Sequence, residues 1–210
     1  SVNYSGIKSK SLLETINDGK LIKEKSPYND LLLKKEKNRV IKKIKELGYY
    51  NSKLETSVET LSNNLVNIDF IFILGDKAKI KKISFIGNKI FKDKKLKRLI
   101  ASTEYKFWKF ISGRKYLNPN LANLDIRLLK NFYLNNGYYN VEINSSFAKL
   151  IDTNEFELIF NIEPGEKIFF NELMVNLPDD FDKTNYSKLN ELLKNLKNSP
   201  YSINSVDKIL

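Results

Sequence analysis

The tetrapeptide Gly-Tyr-Tyr-Asn occurs at residues 48–51 and again at 137–140, and this duplication constrains the fold more than any other feature of the chain. Around the two copies the match lengthens into an internal repeat. Upstream, VNYSGIKSKSLLETI parallels ISFIGNKIFKDKKLKRLI, so Gly6 corresponds to Gly87; downstream, Gly75 corresponds to Gly165. The tetrapeptide lies 27 residues before the last glycine in the first copy and 28 in the second. The gap from the first glycine to the tetrapeptide is 42 against 50, which places a longer loop inside the second copy. A third copy begins near Lys167, and its Ser199-Pro200-Tyr201 echoes Ser26-Pro27-Tyr28. The repeat predicts modules at 1–77 and 78–166 and an incomplete one at 167–210.

Each copy reads strand, helix, helix, strand, strand. Ile80, Ile83 and Phe85 alternate into the turn Gly87-Asn88, a dipeptide suited to positive φ. Asp93 is the expected cap of a first helix carrying Leu96, Leu99 and Ile100. Asn118 before Pro119 predicts the start of a second helix, with an apolar stripe of Leu121, Leu124, Leu128 and Phe132. The stripe of the first copy is Leu33, Val40, Ile44 and Leu47. Gly48 and Gly137 then stop these helices, because a left-handed residue after a helix is least costly as glycine. From there period two takes over: Tyr139, Val141, Ile143 and Phe147 face one way, and Asn140, Glu142, Asn144 and Ser146 the other. In the first copy Tyr50, Leu54 and Val58 oppose Asn51, Lys53, Glu55 and Ser57. The last strand of each copy, Phe70–Leu74 or Phe156–Ile162, is the most apolar and belongs in the centre of its sheet; the strand after the tetrapeptide belongs at an edge. The fold class is α+β: tandem βααββ units, each a three-stranded mixed sheet with two helices packed on one face.

Composition removes much chemistry. With no Cys and no His, thiol nucleophiles, Cys/His zinc sites, imidazole catalysis and disulfides are unavailable. No phosphate loop or nucleophile elbow is present. The pairs Asp179-Asp180 and Glu163/Glu166 read as solvated turn residues, so no catalytic, metal or cofactor site is expected. The longest apolar run, Phe70–Leu74, is far below the ~20 residues that span a bilayer, and the N-terminus lacks a signal pattern; the chain reads as a soluble mature or excised segment. Its net charge of +11 is compatible with a polyanionic partner, although a Lys-, Asn- and Ile-rich composition also produces such a charge without one.

A βααββ unit with Gly87-Asn88 after its first strand, Phe132-Tyr133 and Gly137-Tyr138 before its second, and Phe156–Ile162 running into Glu163-Pro164-Gly165-Glu166 resembles the POTRA domain. The likeness extends over essentially the whole chain. The loop from Phe107 to Leu117 is similar to an insertion in the third such module of outer-membrane-protein assembly factors, which would make these modules two, three and the start of four. Gly6-Ile7 departs from the Gly-Asn pattern. The resemblance implies the periplasmic portion of an outer-membrane protein, a non-enzymatic scaffold for unfolded outer-membrane proteins and assembly lipoproteins. It also implies weak contact with an anionic membrane surface; no nucleic acid is expected and no homo-oligomer is required.

An edge strand offers unpaired N–H and C=O groups to an extended peptide. Tyr139, Asn140, Glu142, Asn144, Ser146, Ala148 and Leu150, and less strongly Asn51, Lys53 and Glu55, are therefore the expected partner-binding positions; an ordinary solvated edge is the competing reading. Trp108 is expected either to anchor adjacent modules or to contact a partner. Three alternatives stand: the POTRA region of another translocator of two-partner-secretion or TamA type, a basic nucleic-acid-binding repeat using KIKKI and KDKKLKRL, and a divisome-type scaffold.

Overall fold

Alternation of Ile68, Phe70 and Phe72 with more exposed neighbours makes one face of a strand apolar, and the first core assembles on that face. In the computed structural model the described residues are all except 63–64, 88–89, 108–112, 153, 177, 179–185 and 210, with the backbone alone described at 146–152. The elements run β1 (Val2–Ser5), α1 (Lys10–Asn17), α2 (Asp30–Glu46), β2 (Lys53–Thr60), β3 (Val66–Ile73), β4 (Lys79–Ile86), α3 (Asp93–Leu99), α4 (Pro119–Leu134), β5 (Glu142–Asp152), β6 (Glu155–Glu163), α5 (Ser187–Leu196) and α6 (Ile203–Asp207).

Two three-stranded sheets form, ordered β1-β3-β2 and β4-β6-β5, so the most apolar strand is central in each. In the first sheet β1 runs parallel to β3, with Tyr4 opposite Phe70, and β2 runs antiparallel to it, with Leu54 opposite Phe72. Leu12 and Ile16 of α1 and Val40 and Ile44 of α2 cover one face of this sheet. The architecture is the expected α+β arrangement.

By packing, the chain divides into two compact units: residues 1–83, 102–122 and 147–158, and residues 84–101, 123–146 and 159–210. The loop 102–122 and residues 147–158 thus group with the first repeat, a partition that the repeat boundaries alone do not suggest. In the second unit Phe85 stacks on Phe160 at 5.6 Å between ring centres, and Phe91 meets Phe132, Tyr133 and Tyr138 edge to face.

The helices depart from expectation in two respects. Asp93 is the first residue of α3 rather than its cap; Lys92 precedes it and makes no capping bond, so Asp93 acts through the helix dipole. The second-helix stripe of the first copy lies on the core as expected, with Val40 and Ile44 buried and Leu33 and Leu47 packed against them, but that of the second copy is rotated. Leu121, Leu124, Leu128 and Phe132 are half-buried, whereas Ala122, Asp125, Leu129 and Tyr133 are buried. Periodicity reading skipped the true face because it contains a carboxylate. The first copy has the same feature: Glu36 is buried. Glu36 and Asp125 both lie 12 residues before the glycine of the tetrapeptide. Glu36 Oε2 accepts a hydrogen bond from the Leu21 N–H at 3.0 Å, and Asp125 Oδ1 accepts one from the Ala101 N–H at 2.6 Å. In both copies, then, a buried acid on the second helix ties down the segment leaving the first.

Tyr4, stacked on Phe70 at 5.3 Å, has a buried hydroxyl. Burial, reinforced by the nearby Glu36 charge, pushes its pKa up to about 12 from the usual 10.0. The folded state therefore holds this proton more tightly than the unfolded chain does. The associated stability is complete below pH 10 and is lost as pH rises towards 12. Alkaline unfolding followed by circular dichroism should show Tyr4→Phe losing less stability than the parent across this window; identical pH profiles would contradict the assignment.

Candidate edge-strand interface

The tetrapeptide ends each second helix with the same hydrogen bonds. Gly48 N–H donates to Lys45 C=O at 2.9 Å and Tyr49 N–H to Ile44 C=O at 3.1 Å; Gly137 N–H donates to Leu134 C=O at 3.3 Å and Tyr138 N–H to Tyr133 C=O at 3.1 Å. This is the Schellman pattern, and it requires the left-handed φ of +94° at Gly48 and +95° at Gly137. Asn118 Oδ1 caps α4 as expected, accepting from the N–H groups of Asn120 and Leu121.

The strands begin later than expected, at Lys53 and Glu142. Asn51, Tyr139 and Asn140 therefore belong to the turns ahead of the strands, not to an edge, because the Schellman bonds occupy the first residues after each helix. Asn51 Nδ2 donates to Asn154 Oδ1 at 3.0 Å, and Tyr139, 54% exposed, lies edge to face with Tyr201 at 5.5 Å. Both are thus held by other parts of the chain. Lys53, Glu55, Glu142 and Asn144 are in the edge strands and exposed, while Leu54 and Ile143 turn inward. Val58 shares the Leu54 face yet is 38% exposed, since it lies towards the far end of β2. Ser146, Ala148 and Leu150 belong to β5 by backbone, and their side chains lie outside the described residues, as do Trp108 and Asn88. Gly87 has φ +74° and abuts the Ile162 carbonyl.

The edges of the second sheet differ. Along β4, Ile80 C=O accepts from Tyr105 N–H at 2.7 Å, and Ile83 N–H donates to Glu104 Oε1 at 3.0 Å. The loop after α3 thus occupies the outer side of β4. No such segment bonds the backbone of β5 among the described residues. The 11 residues of β5 form the longest strand among the described residues. A sheet edge of this length is suited to backbone pairing with an extended peptide. Sequence reading missed the closure of β4, because nothing local to Glu104 signals where its carboxylate goes.

The lysines of KIKKI are engaged. Lys81 pairs with Glu155 at 3.1 Å, Lys82 pairs with Glu157 at 3.0 Å, and Lys79 sits over the Tyr105 ring at 4.8 Å. Among the described residues no acidic cluster is able to hold a metal ion, and no helix is long and apolar enough to cross a membrane.

A family model described as "POTRA: Surface antigen variable number repeat" matches residues 78–165. The chain is 29% identical over 115 residues, 54% of its length, to the outer membrane protein assembly factor BamA of Buchnera aphidicola subsp. Acyrthosiphon pisum (strain APS). It is 33% identical over 96 residues, 46% of its length, to BamA of Neisseria meningitidis serogroup B (strain ATCC BAA-335 / MC58). These alignments span 19% and 12% of the two relatives, so the chain corresponds to a small part of either. Among solved structures, Haemophilus influenzae BamA POTRA3-5 is similar with a TM-score of 0.52 at 13% identity, covering 99% of this chain and 81% of that one. The N-terminal domain of Omp85 from Thermosynechococcus elongatus gives a TM-score of 0.52 at 12% identity, covering 100% and 81%. At such identities the structural likeness speaks to the fold.

Proposed function

We propose that the chain, whose residues 78–165 match the POTRA family model, is the periplasmic scaffold of an outer-membrane-protein assembly factor of BamA type. It comprises modules at 1–77 and 78–166 and the beginning of another at 167–210. Its work is binding rather than catalysis. Unfolded β-barrel clients and assembly lipoproteins dock by adding a strand to an exposed sheet edge, and the same region lies near an anionic membrane surface.

The observation that carries this reading is the contrast between the two edges of the second sheet: β4 is covered by the loop containing Glu104 and Tyr105, and β5 is open among the described residues. Backbone pairing is nearly blind to side chains, which suits clients that share β-propensity and little else. The charged and polar residues exposed at the start of β5, Glu142 and Asn144, keep the edge soluble when empty.

Asn144→Pro removes one backbone donor from β5. In the full-length protein, photo-crosslinking from Glu142 to client chains should fall at least about fivefold, as expected for one lost backbone hydrogen bond, while the circular dichroism spectrum is retained. Undiminished crosslinking with the fold intact would exclude β5 as the docking edge.

A further inference from the structure

The duplicated tetrapeptide has a second set of bonds that stopping a helix does not explain. Gly48 C=O accepts from Ala78 N–H at 2.7 Å, and Ala78 C=O accepts from Leu117 N–H at 3.0 Å. In the second copy Gly137 C=O accepts from Ile168 N–H at 2.8 Å, and Ile168 C=O accepts from Tyr201 N–H at 3.0 Å. The bridging segments also correspond, Lys79 pairing with Tyr116 and Phe169 with Pro200. Leu117 and Tyr201 each immediately precede a helix cap, Asn118 of α4 and Ser202 of α6.

The side chains repeat as well. Lys77 Nζ lies over the Tyr49 ring at 5.2 Å, and Lys167 Nζ over the Tyr138 ring at 5.9 Å. Lys77 is shared with Tyr116 at 5.2 Å and Lys167 with Phe169 at 5.4 Å. Both lysines stand two positions after a glycine, in Gly75-Asp76-Lys77 and Gly165-Glu166-Lys167. Each first joint component lies within one compact unit, and each second within the other.

We infer that the end of each second helix is a docking surface whose partner is an extended segment headed by Gly, an acidic residue and Lys. In this chain the segment is the connection to the next repeat. The glycine carbonyl receives the segment's N–H, the segment's carbonyl receives an N–H from the entry to the following second helix, and the lysine lies against the first tyrosine of the tetrapeptide. Two of these contacts are backbone bonds and tolerate Ala78 in one copy and Ile168 in the other. The invariant parts are the left-handed glycine, whose conformation presents the carbonyl, and the Lys–Tyr pair. A Cβ at Gly48 would lie 3.1 Å from Tyr116 Cβ, so a larger residue there requires that side chain to give way.

Amide hydrogen exchange on the 210-residue chain tests the inference. The Ala78 and Ile168 amides should exchange at least about a hundredfold more slowly than exposed loop amides. Lys77→Met should accelerate Ala78 and Leu117 together by about five- to tenfold, the loss expected for one cation–π contact, and leave Ile168 and Tyr201 unchanged. Lys167→Met should do the reverse. Loop-like exchange at Ala78 and Ile168 would overturn the docking surface, as would insensitivity of these amides to the lysine substitutions. Equal acceleration at both joints by Lys77→Met would also overturn it, because that is the signature of global destabilisation.

Discussion

Glu36→Ala is expected to destabilise the chain by about 3–5 kcal/mol, the cost of leaving one member of a largely buried ion pair without its partner. The Glu36 side chain is fully buried, and Arg39 reaches it twice, Nε to Oε2 at 2.9 Å and Nη2 to Oε1 at 2.6 Å. Arg39 also donates to the Ile16 and Asp18 carbonyls at the end of α1. Removing the carboxylate therefore strands a guanidinium in a site where its side chain is 17% exposed, and it orphans the Leu21 N–H. Glu36→Leu with Arg39→Met, which removes both charges and refills the volume, should recover a large part of the loss. Asp125→Ala should cost less, about 1–3 kcal/mol, the penalty for the Ala101 N–H losing its acceptor. Urea denaturation followed by circular dichroism measures all three. A Glu36→Ala loss no larger than that of Asp125→Ala would show that Arg39 is not the source of the penalty.

Gly87→Ala and Gly6→Ala are expected to cost about 3 kcal/mol or more, combining left-handed backbone strain with overpacking. A Cβ at Gly87 would sit 2.5 Å from the Ile162 carbonyl oxygen, and one at Gly6 2.0 Å from that of Phe72. In both copies the obstacle is the backbone of the central strand, which cannot move aside as a side chain would. Gly19→Ala provides the control: φ is +72° but the space is open, so only the conformational cost of about 1–2 kcal/mol applies. Thermal unfolding should rank Gly6→Ala and Gly87→Ala well below Gly19→Ala. Equal losses at the three positions would refute the close-approach argument.

Glycine at the first turn was legible as a site of positive φ, but not as a point of contact with a strand about 65 or more residues away in sequence, because proximity of that kind has no local signature. In the second copy alone, the second-helix stripe is displaced by one position for a related reason. Hydrophobic periodicity counts a carboxylate as exposed, whereas Asp125, like Glu36 in the first copy, is buried and accepts a backbone N–H that only folding brings to it. The edge position of β2 and β5 was legible, since a strand with one polar face does not belong in the middle of a sheet. Its starting residue was not, because the Schellman bonds displaced Tyr139 and Asn140 from the strand.

By itself the sequence determined the repeat, the order of elements within it, the central and edge strands, and the glycine that stops each second helix. These follow from periodicity and from the steric freedom of single residues, which are local properties. Tertiary structure alone decided that the β4 edge is closed by Glu104 and Tyr105, and that the carbonyls of Gly48 and Gly137 are taken up by Ala78 and Ile168. A backbone group carries the same donor and acceptor in every residue, so its partner is chosen by where the chain goes and not by which residue it is.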